Sequence, residues 1–266
     1  MKKHFILIAL MIPMILIGQK KQSDTQGWAV IIEKEGYTEL GWSKEHNLPT
    51  DYLMTNKLKS TFEYFNWNNN NIKIIHEECN QQIFKEAINW LAQHADSNDI
   101  VFLYYDGHGK YLREVIKFND LFDGLWNNIK SRNKVLVLSC CHAGEFIEKI
   151  TPDITNSICI GGVASDEILW KGIWHERLPI IGSVFTYYFL ESLINPIADK
   201  DKNGFVSIKE ALNYSELKQR EYMQKTLWCN ENFKNDSLVN MKEVPHVIVK
   251  DKSGTDVYLN LKYYNK

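Results

Sequence analysis

The sequence predicts an α/β fold: a mainly parallel central sheet flanked by helices. Three observations lead there. Short apolar runs recur along the chain, among them Trp28–Ile32, Ile100–Tyr105, Val135–Leu138 and Ser157–Val163. They are continuous rather than alternating, as parallel strands buried on both faces are. The segments between them carry apolar residues at helical spacing, and strands alternating with helices imply βαβ units with right-handed crossovers. At 266 residues and 44% hydrophobic content, the chain can bury one sizeable core.

Taken in order, Trp28–Ile32 is the first strand. Asp51–Phe65 reads as an amphipathic helix, with Leu53, Met54, Leu58, Phe62 and Phe65 near helical spacing. The asparagine run Asn68–Asn71 is a loop, Ile72–Ile75 a second strand, and Asn80–Ala95 a helix with a stripe of Ile83, Phe84, Ala87, Ile88 and Leu91. The Ile100 strand follows, then a helix around Phe118–Ile129, the Lys134 strand and a strand at Ser157–Val163. Ser183–Leu193 is an apolar helix with Ser183 as its N-cap. Ile208–Leu217 is a further helix, and Pro245–Val249 and Val257–Leu261 read as terminal strands. Residues 27–266 form one domain, with no repeat.

Residues 1–26 stand apart from the fold. Met1-Lys2-Lys3 is basic, and Phe5–Ile17 is an apolar stretch of about 13 residues, too short for an ordinary span but suited to a signal peptide. Cleavage after Gly18 leaves a polar leader, residues 19–26, and an exported protein (periplasmic or secreted) with no integral span. The formal net charge of −2, from 33 acidic and 31 basic residues well mixed along the chain, gives no support for nucleic-acid binding. Five cysteines, Cys79, Cys140, Cys141, Cys159 and Cys229, are too few for a disulfide framework, and their odd number leaves a free thiol in a monomer.

Two strand ends carry chemistry. Ile100–Asp106 runs into Gly107-His108-Gly109, and Lys134–Ser139 runs into Cys140-Cys141-His142-Ala143-Gly144. Active sites of open α/β sheets gather at the carboxyl ends of their strands. A thiol and an imidazole delivered to one sheet edge make a nucleophile and its proton-transfer partner. His142 competes with His108, and Cys140 with Cys141. Neighbouring side chains point apart, which sends Cys140 into the core and favours the pair His108–Cys141. Asp106 stands close enough to orient the imidazole, or to cap the turn.

An apolar strand ending in Gly-His-Gly, followed by one ending in Ser-Cys-Cys-His-Ala-Gly, resembles the caspase-like cysteine peptidases of the legumain and metacaspase branches. The spacing of 141 − 108 = 33 residues fits the group. Ala164-Ser-Asp-Glu167 is similar to the start of a substrate-contacting loop in the family, and Gly182–Thr186 to a common helix start. The resemblance covers Trp28 to Tyr214 and implies a caspase-like three-layer sandwich. It implies a cysteine endopeptidase acting on peptides or proteins through an acyl-enzyme, with no cofactor for catalysis. Cys141 is then the nucleophile, His108 the acid–base, and the N–H groups of Gly109 and Cys141 the oxyanion donors, glycine permitting unusual angles and close approach at 109. The same dyad also suits a transpeptidase or transamidase, and an inactive binding module is the third alternative. Ser139 stands where the metacaspase pattern has an Asp that favours basic P1 residues. Asp166 and Glu167 are candidates to line a basic pocket in its place.

One further motif is independent of the dyad. Asp199-Lys-Asp201-Lys-Asn203-Gly204-Phe205-Val-Ser207-Ile-Lys-Glu210 matches the twelve-position EF-hand pattern throughout. Asp199, Asp201 and Asn203 would offer side-chain oxygens to a structural calcium ion. Phe205 would offer its carbonyl, Ser207 a direct or water-mediated contact, and Glu210 both carboxylate oxygens.

Overall fold

The computed structural model describes residues 24–34, 36–37, 41, 53–76, 79–169, 182–227 and 245–265. The stretch read as a signal peptide, most of the polar leader, Asp51, Tyr52 and Cys229 lie outside the described residues. Six strands form one sheet: β1 (Gly27–Glu33), β2 (Ile72–Ile75), β3 (Ile100–Asp106), β4 (Asn133–Ser139), β5 (Ser157–Gly161) and β6 (Ile248–Asp251). Their order is β2-β1-β3-β4-β5-β6. All neighbours are parallel except β5 and β6. The helices among the described residues are α1 (Leu53–Tyr64), α2 (Gln81–His94), α3 (Gly109–Glu114), α4 (Phe118–Trp126), α5 (Ala143–Lys149), α6 (Val184–Ile194) and α7 (Ile208–Tyr222).

β3 and β4 are buried along their whole length apart from Asn133, which is why their sequences read as continuous apolar runs. Alternation along them feeds two cores. Val101, Leu103, Tyr105, Leu136, Leu138 and Cys140 pack with α2, α3, α4 and α5. Ile100, Phe102, Tyr104, Val135 and Val137 pack with α1, α6 and α7. The result is the expected three-layer sandwich.

Local signals placed most boundaries. Asn80 caps α2 through a bond from the Ile83 N–H, and Ser183 caps α6 through one from Thr186. Two expectations change, and two helices were not foreseen. Val257–Leu261 is not a strand. Tyr258 makes one bridge with Ser207, and Leu261–Tyr263 turns as a short 3₁₀ helix. Its apolar residues are buried under α7 and α1 instead of joining the sheet. The helix expected to reach Ile129 ends at Trp126, whose backbone runs on into a turn. The short helices α3 and α5, which directly follow the two turns of interest, lack the length that makes a periodic pattern visible.

Candidate active site

β3 and β4 run in register from Ile100↔Asn133 to Asp106↔Ser139. His108 and Cys141 each lie two residues beyond the last pair, so the sheet delivers both turns to the same edge. There the backbones touch. A Cβ built on Gly109 would stand 2.1 Å from the Cys141 carbonyl oxygen. Gly109 does not have a positive φ. The glycine is therefore required for close approach and not for an unusual backbone angle, which corrects half of the expectation for this position.

His108 is the extended N-cap residue of α3 and spends no side-chain bond on capping. Its backbone N–H donates to the Tyr37 hydroxyl at 2.8 Å, and its carbonyl accepts from the Tyr105 hydroxyl at 3.1 Å. Its imidazole meets the Tyr37 ring edge-on, with centroids 4.5 Å apart. On the other turn, Cys141 is half-buried, and its Sγ accepts from the Leu169 N–H at 3.4 Å.

The remaining described cysteines, Cys79, Cys140 and Cys159, are buried. Burial pushes the Cys79 and Cys159 thiols up to about 12, and pushes Cys140 well above its ordinary range with help from Cys141 and Asp106. A thiol held protonated is a poor nucleophile. Cys140 thus faces the core as strand alternation predicts, and Cys141 is the described cysteine that is not fully buried.

His142 has other work. It holds a left-handed conformation, φ 58°, at the start of α5. Its N–H donates to the Glu167 carbonyl at 2.8 Å, and its Nδ1 lies 3.0 Å from the Ser165 carbonyl. A carbonyl only accepts, so the proton sits on Nδ1. The side chain is anchoring residues 164–169 over the Cys141 turn. Gly144 allows that loop to settle, since a Cβ there would come within 2.7 Å of the Ser165 nitrogen.

Glu167 braces the same loop. It accepts from the Ala164 N–H at 2.9 Å and from the N–H and Nδ1 of His246, each at 2.7 Å. Burial pushes its carboxyl up, but these donors outweigh that and hold it below its usual range. Asp166, beside it, points to solvent.

Asp106 lies on the other face of the sheet from Tyr105 and Cys140. Its Oδ2 is 2.9 Å from the Tyr104 hydroxyl and accepts from Ser139 Oγ at 3.0 Å. Ser139 in turn accepts from Thr186 of α6 at 2.9 Å. Ser139 is fully buried. Glu33 continues the row on β1, paired in register with Asp106, and accepts from the N–H and hydroxyl of Thr55. Asp106 therefore belongs to a buried polar row beneath the site. The carboxylate that the metacaspase pattern puts at position 139 stands here on the neighbouring strand at the same level.

A sequence profile of the caspase domain matches residues 26–252. The chain belongs to the caspase-domain family. No curated protein sequence gives a significant match. Among solved structures, caspase-1 from Spodoptera frugiperda superposes with a TM-score of 0.56 at 11% identity, covering 89% of this chain and 90% of that one. At that identity the likeness is one of fold. The family is one of cysteine peptidases, whose substrates are peptides or proteins. Among the described residues, no helix is long and apolar enough to cross a membrane.

Away from the two turns, the Asp199–Glu210 loop brings carboxylate oxygens of Asp199, Asp201 and Glu210 within 4.8 Å of one another. Gly204 takes φ 87°, the sharp turn that the pattern demands. Glu210 also completes a capping box with Ser207 at the start of α7. Asn203 directs its Oδ1 to the Phe205 N–H and its amide nitrogen to Asp201 and the Tyr258 hydroxyl. Burial raises the Glu210 carboxyl less than the donors from Ser207, Lys200 and Asp201 lower it, so it stays ionised. An all-oxygen, carboxylate-rich set of this kind suits a hard cation.

Proposed function

We propose that the chain is an exported cysteine endopeptidase in which Cys141 attacks the scissile carbonyl and His108 moves the protons. The observation that carries this reading is the meeting of the two turns. It puts the backbone of Cys141 against the turn of His108, and the Cys141 side chain is half-buried while the other described cysteines are buried. His108 takes the thiol proton, and the thiolate adds to the carbonyl. The oxyanion is held by the N–H groups of Gly109 and Cys141. His108 then protonates the leaving amine, and later removes a proton from the water that hydrolyses the acyl-enzyme. Asp166 is the pocket residue for the substrate side chain, with Glu167 bracing the loop beneath it and Ser139 supporting the site floor.

Labelling with electrophilic peptides that carry varied P1 residues tests this. Adduct on Cys141, lost in Cys141→Ala and strongly slowed in His108→Ala, supports the reading. Adduct on another cysteine, or none with any P1, refutes it. Product masses with an added amine separate hydrolysis from transpeptidation. Export is tested by the N-terminus of the secreted protein, which should begin at Gln19.

We further propose that the Asp199–Glu210 loop holds a structural calcium ion through Asp199, Asp201, Asn203, Phe205, Ser207 and Glu210. What supports this is the complete twelve-position pattern together with the convergence of three carboxylates. Asn203 must turn its Oδ1 inward for the ion. Isothermal titration of the purified protein should give a binding heat that Asp199→Ala abolishes. No heat at millimolar calcium refutes it.

A further inference from the structure

We infer that Tyr37 is the positioning residue for His108, fixing both the backbone and the ring plane of the imidazole that serves Cys141. This rests on the dyad reading and adds to it the group that keeps the base in place. The bonds of Asp106 described above run to Tyr104 and Ser139 on the opposite face.

Tyr37 follows β1 and is fully buried. Its hydroxyl has one proton and two lone pairs. The proton goes to the Lys34 carbonyl at the end of β1, and a lone pair accepts the His108 N–H. One oxygen therefore ties the exit of β1 to the exit of β3. The Tyr37 ring meets the imidazole at 62° with centroids 4.5 Å apart, which limits the rotation of the imidazole. Behind it, the Tyr111 ring stands 5.4 Å away, and the Lys34 ammonium lies 5.7 Å from the Tyr37 centroid and 5.2 Å from that of Tyr111. The wall does not move easily.

Two further contacts point the same way. The Tyr105 hydroxyl donates to the His108 carbonyl, so the peptide groups on both sides of His108 are held by tyrosines. Gly107 leaves room for them, because a Cβ there would fall 2.7 Å from both the Tyr37 and the Tyr105 hydroxyl oxygens. His108 spends no side-chain bond on capping α3. Ring contact and backbone anchoring come from Tyr37. A base displaced by a fraction of an ångström loses its alignment with the thiol before the fold is affected.

The test compares Tyr37→Phe and Tyr37→Leu with wild type and His108→Ala in the full chain. Two quantities are read: peptide hydrolysis, and the pH profile of Cys141 alkylation by iodoacetamide. Phenylalanine keeps the ring and deletes the hydroxyl, leaving the His108 N–H without its acceptor. It should lower kcat about tenfold with KM within about twofold. Leucine also deletes the ring and should lower kcat about 100-fold. Both should shift the alkylation profile toward that of His108→Ala, a change that a loss of stability alone does not produce. If leucine prevents folding, the phenylalanine variant decides. Folded Tyr37→Phe with wild-type kcat and an unmoved alkylation profile overturns the inference while leaving the dyad intact. His108→Ala with the wild-type alkylation profile and turnover refutes the dyad and the inference together.

Discussion

The contact between Gly109 and Cys141 makes Gly109→Ala the sharpest perturbation of the site. The added Cβ would lie 2.1 Å from the Cys141 carbonyl oxygen and 3.2 Å from its carbon, where ordinary contact begins at 3.4 Å. Relief of 3.4 − 2.1 = 1.3 Å is needed, and both neighbours are backbone, so no rotamer change supplies it. The movement must fall on the His108 turn, the Cys141 turn, or both. Misplacement of reacting groups by about 1 Å costs about 100-fold in rate. Stability should suffer less. Overpacking costs about 1–3 kcal/mol, and alanine in the first turn of α3 returns up to about 1 kcal/mol of helix propensity. A fall in Tm of a few degrees is expected, since about 1 kcal/mol corresponds to roughly 2–4 °C at this size. The assay is kcat/KM on a peptide substrate, with thermal unfolding and Cys141 alkylation beside it. Gly124→Ala is the control: it is exposed in α4, and its added Cβ meets nothing within 4 Å. It should gain up to about 1 kcal/mol with unchanged turnover. Gly109→Ala with kcat/KM within about threefold of wild type would refute the argument that the two turns must touch.

Three other substitutions test the assignments around it. Cys141→Ala should abolish hydrolysis with an unchanged Tm, whereas Cys140→Ala should keep turnover and lose about 1–2 kcal/mol of stability, read in denaturant unfolding, because it leaves a small cavity in a full core. Ser139→Asp should destabilise by about 3 kcal/mol or more, since it sets a second carboxylate against Asp106 in a buried row; the exchange Asp106→Ser with Ser139→Asp should recover most of that loss in thermal unfolding. Lys134, nearly fully buried, has its ammonium lowered from 10.5 to about 8 by burial, with Cys159 acting the other way. Between those values the unfolded chain binds a proton that the folded chain has released, so this group adds stability as pH rises from about 8 to 10.5. Lys134→Met should be the more stable protein at pH 7, and its advantage should shrink across that window in parallel denaturation curves.

The sequence by itself determined the layers and the sheet edge to which the His108 and Cys141 turns are delivered. β1, β3, β4 and β5 were legible because strands buried on both faces are continuous apolar runs, β2 as a short apolar run at the edge of the sheet, and α2 and α6 because Asn80 and Ser183 announce their first turns. That Cys140 and not Cys141 faces the core was also legible, since a period of two allows only one of two neighbours to do so. What the sequence left undecided depended on partners far along the chain. Asp106 is two residues from His108, yet alternation and the packing of α6 turn it toward Ser139 and Thr186. His142 is next to Cys141, but the loop at Ser165 and Glu167 claims it. Tyr37 carries no local motif at all. It reaches His108, 71 positions away, only because β1 and β3 are adjacent in the sheet. Periodicity records which side of an element is buried, and only the tertiary structure decides which group meets which across that buried side.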